Sequence, residues 1–123
     1  MKILIIDDKE LITKLAAFDI ENSGYSVITA NSGISGLQKM RNSMFDLILL
    51  DIEMPDLSGL DILRIMKTDV KLKDIKVIIL SGVAHYKELA ESLGCNAFIL
   101  KPFTPSMLIG VIEQLHNGEE KLK

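Results

Sequence analysis

Four short apolar runs, each ending on residues able to do chemistry, constrain this chain more than any other feature. Ile3-Leu4-Ile5-Ile6 is followed by Asp7-Asp8, and Leu47-Ile48-Leu49-Leu50 by Asp51. Val77-Ile78-Ile79-Leu80 is followed by Ser81-Gly82, and Ala97-Phe98-Ile99-Leu100 by Lys101-Pro102. Unbroken apolar runs of this length suit strands buried on both faces, the condition of a parallel sheet covered by helices. If the runs are parallel neighbours, three acids, a hydroxyl and an amine converge at one edge of one sheet.

The segments between the runs have helical period, so strands and helices alternate. Residues 9–23 place Leu11, Ile12, Leu15, Ala16 and Ile20 on one predicted face, and Gly24 stops that helix. Residues 25–29 form a strand rich in β-branched residues. Ser32 is the predicted N-cap of a second helix bearing Ile34, Leu37 and Met40. Met54-Pro55-Asp56-Leu57-Ser58-Gly59 is a loop by its Pro and Gly, followed by a third helix with Leu60, Leu63 and Met66 inward. Residues 84–93 form a thinly apolar fourth helix (Leu89, Ala90, Leu93) ended by Gly94. Thr104 caps a fifth, with Pro105 at its first position and Met107, Leu108, Val111, Ile112 and Leu115 facing the core. The expected fold is α/β: a doubly wound (βα)5, flavodoxin-like, with a parallel five-stranded sheet in the order 2-1-3-4-5. In that order the switch point lies between strands 1 and 3, whose carboxyl ends carry Asp7-Asp8 and Asp51.

The chain of 123 residues fits one domain of ordinary core size. A formal net charge of −3 argues against direct nucleic-acid binding. The single cysteine, Cys95, allows no internal disulfide and reads as a small buried hydrophobe, consistent with a reducing, cytoplasmic setting. No apolar run approaches the roughly 18 residues of a membrane span. The N-terminal run is too short for a signal peptide, and acids stand where a cleavage site would be. The last residues, 117–123, are polar and are expected to fray or to begin a linker.

Adjacent acids after a strand repel each other, and a third carboxylate beside them makes a metal site the better reading than a solvated acidic turn. Hard divalent cations prefer such oxygens, and Mg²⁺ takes one or two carboxylates while keeping several waters. Lys101 offsets part of the charge: three carboxylates, one Mg²⁺ and one ammonium sum to zero. A phosphoryl group on Asp51 would make the site anionic again, and Lys101 and Ser81 could then bind its oxygens. Gly82 leaves room for a bulky oxyanion. Asp51 is the candidate nucleophile, since a carboxylate can attack phosphorus to give an acyl phosphate. His85 and His116 each stand alone on a predicted helix and read as solvated surface residues, so a phosphodonor histidine belongs to a partner.

In their order and on these elements, Asp7-Asp8, Asp51, Met54-Pro55 with Gly59, Ser81-Gly82 and Lys101-Pro102-Phe103 closely resemble the receiver domain of two-component response regulators, across essentially the whole chain. The resemblance implies a receiver domain over residues 1–118, with 119–123 as a polar tail or the start of a linker. It implies a phosphoacceptor switch rather than an enzyme, in which Asp51 takes phosphate from a sensor histidine kinase or a histidine phosphotransfer protein. It further implies Mg²⁺, with Mn²⁺ as a substitute, held directly by Asp8, Asp51 and the backbone carbonyl of Glu53, and by Asp7 through water. Ser81 resembles the switch hydroxyl and Phe98 the switch aromatic, and the Lys101-Pro102 bond is expected cis. Output is expected on the face of helix 4, strand 5 and helix 5, toward a downstream partner or an effector domain that is not visible here. Serine stands where threonine is commoner, and Phe98 lacks the hydroxyl of the tyrosine found in many relatives. The Glu53 side chain is expected to point to solvent, the alternative being an influence on phosphoryl lifetime.

Other classes fit less well. A phosphatase with an aspartyl nucleophile would need a cap or substrate pocket for which the chain has no room. A flavin-binding protein would need a phosphate loop rich in Gly, Ser and Thr after strand 1, where Asp7-Asp8-Lys9-Glu10 stands. A receiver-like scaffold that is never phosphorylated would not need the intact residue set.

Overall fold

A computed structural model describes residues 1–120 and Leu122. Its elements run β1 (Lys2–Ile6), α1 (Glu10–Asn22), β2 (Ser26–Ala30), α2 (Gly33–Asn42), β3 (Leu47–Asp51), α3 (Gly59–Lys67), β4 (Lys76–Ser81), α4 (Tyr86–Ser92), β5 (Ala97–Leu100) and α5 (Pro105–His116). All strand pairs are parallel, in the order β2-β1-β3-β4-β5. The expected topology is therefore the observed one, with β2 displaced by one residue from its expected span.

Side chains of successive strand residues point to opposite faces, and both faces are covered. Leu4, Ile6, Ile48, Leu50, Val77 and Ile79 form one core with Leu37 and Met40 of α2, Leu63 and Met66 of α3, and Ala90 of α4. Ile3, Ile5, Leu47, Leu49, Ile78 and Leu80 form the other with Ala17 and Ile20 of α1 and Leu108, Ile112 and Leu115 of α5. This is why the central runs are apolar without alternation. Cys95 is buried in the first of these cores. No helix among the described residues is long and apolar enough to cross a membrane.

The helices start and stop on local signals. Ser32 Oγ accepts from the Ser35 N–H and Thr104 Oγ1 from the Met107 N–H, as expected of caps. Ser58, not singled out from the sequence, caps α3 by accepting from the N–H groups of Leu60 and Asp61. Gly24 and Gly94, which follow α1 and α4, have φ of 97° and 99°, a conformation that favours glycine.

The inward face of α1 differs from the expectation. Leu11, Ile12 and Leu15, expected inward, are exposed, Leu11 by 73% and Leu15 by 60%. The buried stripe is Thr13, Ala17 and Ile20. Apolar residues occur on several faces of this helix, so periodicity alone cannot choose among them. Small Ala17 lets the helix approach the sheet, and Thr13 satisfies its buried hydroxyl by donating to the Lys9 carbonyl. Ile34, Leu89 and Met107 are likewise more exposed than expected.

The Lys76 ammonium donates to the Leu115 carbonyl at the end of α5 and to the Glu119 carbonyl beyond it. Asn96 Nδ2 donates to the Glu120 carbonyl, and the Leu122 N–H donates to the Asn96 carbonyl at 2.7 Å. These contacts oppose fraying at Glu119, Glu120 and Leu122, and Leu122 packs against the core of α1 and α5. Lys121 and Lys123, part of the expected tail, lie outside the described residues.

The loop between β3 and α3 is tied to α2. Asp56 accepts from the Gly33 N–H at 3.1 Å and from the Ile34 N–H at 2.8 Å, so its carboxylate closes the first turn of α2. The Ile34 and Gly33 amides hold its carboxyl below the ordinary value of 3.8. A lowered native pKa stabilises the fold above the unfolded value, and that contribution is lost as pH falls through the native value. Asp56→Ala should thus be less stable than wild type at neutral pH, with the gap closing in acid. Urea denaturation across a pH series measures this, and a gap independent of pH would contradict it.

Candidate functional site

The carboxyl ends of β1, β3, β4 and β5 meet at one rim of the sheet. Asp7, one residue past β1, is 2% exposed, and Asp51, the last residue of β3, is 1% exposed. Asp8 stands outside them, more open to solvent. One carboxylate oxygen from each of the three lies within 4.8 Å of the others. Burial pushes the Asp7 carboxyl above its ordinary value, opposed by the Lys9 N–H and reinforced by the charge on Asp51.

Two ammonium groups answer the acids. Lys101 Nζ donates to Asp51 Oδ1 at 2.8 Å and lies 3.7 Å from Asp7 Oδ2. Lys9 Nζ lies 3.4 Å from Asp8 Oδ1 and 3.6 Å from Asp51 Oδ2. Asp51 Oδ2 itself is buried and has no hydrogen-bond partner. Lys9 was not singled out as a site residue from the sequence. Its place directly after the acid pair is the one local hint.

Ser81 ends β4 and is fully buried, in register with Leu100, the residue before Lys101. Its Oγ accepts from the Val83 N–H at 3.0 Å, and its carbonyl accepts from the Lys101 N–H. Gly82 has open space where a Cβ would stand. Phe98 of β5, paired with Ile79 of β4, is half-buried against the core that holds α2, α3 and α4. Glu53, two residues past Asp51, has an exposed side chain. The Lys101-Pro102 peptide bond is cis.

Gly59 closes the loop against the acid. Its N–H donates to the Ile52 carbonyl, and a Cβ on it would lie 2.3 Å from the Asp51 carbonyl oxygen. A surface groove of about 800 Å³ lies elsewhere: Met40, Met44, Phe45, Val70, Leu72 and Ile75 line it at the opposite end of the sheet.

This donor set fits a hard divalent cation. It offers three clustered carboxylates, and one buried oxygen lacks a hydrogen bond. A family model for the response regulator receiver domain matches residues 3–113. The chain belongs to the response regulator receiver domain family. It is 37% identical over 113 residues to the polar-differentiation response regulator DivK of Brucella ovis, covering 90% of this chain and 92% of DivK. A CheY-like receiver domain protein from Methanospirillum hungatei superposes with a TM-score of 0.88 at 32% identity, covering 97% of this chain and 95% of the other. The response regulator TrrA of Thermotoga maritima, solved in complex with Mg²⁺-BeF, superposes with a TM-score of 0.84 at 32% identity, covering 93% and 97% of the two chains. Receiver domains are signalling switches rather than classical enzymes, and the acid cluster of this one fits a phosphorylation site.

Proposed function

We propose that this receiver domain is a phosphoryl-accepting switch, with Asp51 as the acceptor and a partner's phosphohistidine as the donor. The observation that carries the reading is the state of the Asp51 carboxylate: buried, clamped by Lys101 through one oxygen and lacking a hydrogen bond at the other. Such a carboxylate is oriented, and only partly neutralised, as a nucleophile should be.

Asp7, Asp8 and Asp51, with the Glu53 backbone carbonyl, would hold Mg²⁺ or Mn²⁺. When bound, the cation supplies positive charge against the charge that builds up on the transferring group. An Asp51 oxygen attacks phosphorus, the phosphorus–nitrogen bond breaks, and the electron pair leaves with the donor imidazole. Lys101 is placed to follow the charge from carboxylate to phosphoryl oxygen. Ser81 accepts from Val83, which leaves its own O–H proton to donate to the new group. Movement of Ser81 would open space for Phe98, linking the site to α4.

Two surfaces support the partner roles. Exposed Leu11, Leu15 and Phe18 lie on α1, which starts beside the acids. An adjacent groove is lined by Ile12, Leu15, Lys101, Phe103 and Pro105. Apolar surface of this kind suits docking of the phosphodonor. Leu89, Leu100 and Met107, exposed on α4, β5 and α5, suit the output face.

Incubation with Mg²⁺ and a small acyl phosphate, followed by intact-mass measurement, tests the reading. One phosphoryl adduct is expected, and chelation of the metal should suppress it. No adduct, or one indifferent to chelation, defeats the reading.

A further inference from the structure

Lys9 touches all three acids at once. Its backbone N–H donates to Asp7 Oδ1 at 2.9 Å, and its ammonium reaches Asp8 Oδ1 and the otherwise unpartnered Asp51 Oδ2. Lys101 is differently placed, since it takes the other oxygen of Asp51. The geometry points to Lys9 as a tethered counter-ion that competes with the divalent cation for Asp8 and Asp51. This inference rests on the metal site proposed above.

The backbone of Lys9 is pinned to Asp7, so its ammonium always stays within reach of the cluster. Its side chain is 46% exposed, so it can withdraw to water when a cation enters. The two positive charges would contend for the same two carboxylates, Asp8 and Asp51. Metal binding must therefore break both Lys9 ion pairs, and the affinity of the site is lower than its three carboxylates alone would give. Partly exposed ion pairs are individually weak, so removing the competition should tighten binding by roughly three- to tenfold.

Calorimetric titration of Mg²⁺ into the metal-free protein tests this. Lys9→Gln should bind Mg²⁺ roughly three- to tenfold more tightly than wild type, and Lys9→Arg, which keeps the charge, should stay close to wild type. Lys14→Gln removes the same charge from nearby in α1, where Lys14 pairs with Glu10, and should leave the affinity within about twofold. Asp8→Asn should weaken binding strongly. In melting experiments Lys9→Gln should gain more from Mg²⁺ than wild type does. If wild type binds Mg²⁺, Asp8→Asn loses it, and Lys9→Gln is no tighter than wild type, the inference falls while the metal site stands. Equal tightening by Lys14→Gln also overturns it, since net charge alone would then suffice. No saturable binding by any variant overturns the metal site and the inference together.

Discussion

Asp51→Asn is expected to form no phosphoryl adduct with Mg²⁺ and acyl phosphate under conditions where wild type forms one. The amide oxygen is a far weaker nucleophile, and the change removes one of the three carboxylates offered to a cation. An adduct that persists in the variant would move the acceptor elsewhere and defeat the site assignment. The substitution has a second effect on Asp7. Burial is the main cause of the raised Asp7 pKa, and the negative charge on Asp51 adds to it. Without that charge Asp7 should titrate at lower pH than in wild type, which carboxyl NMR can follow. A raised native pKa penalises the ionised native state above that pKa. The penalty is relieved as pH falls through it and is absent below the ordinary 3.8. Asp51→Asn should narrow this window.

Gly59→Ala should be the most damaging small substitution in the loop. The new Cβ would meet the Asp51 carbonyl oxygen at 2.3 Å, and the Asp51 carbonyl carbon and Ile52 Cα at 2.9 Å each. All three are backbone atoms, so no side chain can swing away, and either β3 or the start of α3 must move. Overpacking of this kind costs ~2–3 kcal/mol after the small gain in helix propensity. For a chain of this size that lowers Tm by roughly 10 °C. The movement falls on the acceptor, so phosphorylation should slow by about tenfold or more. Gly82→Ala is the control for stability, because nothing lies within 4 Å of its Cβ position. Thermal melts and the adduct assay check both variants, and a Gly59→Ala protein as stable and as fast as wild type would contradict the account.

The rim of acids and amines was legible in the sequence because parallel buried strands put their following residues at one edge. Asp7, Asp51, Ser81 and Lys101 each follow or end such a strand, so their convergence needs only the strand order. Lys9, Asp56 and Ser58 were less visible for a physical reason. Lys9 reaches Asp51 across more than forty positions of chain, and Asp56 meets the α2 amides 22 and 23 positions away. No local pattern encodes such meetings. Ser58, which caps its own helix, had a local signal in the polar residue just before Gly59 and the apolar run.

By itself the sequence determined the order of the elements, the parallel sheet and the family, because apolar period and strand-end chemistry are local properties repeated along the chain. Tertiary structure decided which stripe of α1 is buried, leaving Leu11, Leu15 and Phe18 outside because Thr13 and Ala17 are small enough to lie against the sheet. It also decided how charge is shared at the rim. Lys101 takes one oxygen of Asp51 and Lys9 approaches the other, an allocation set by distances between β1, β3 and β5 that exist only once the sheet has formed.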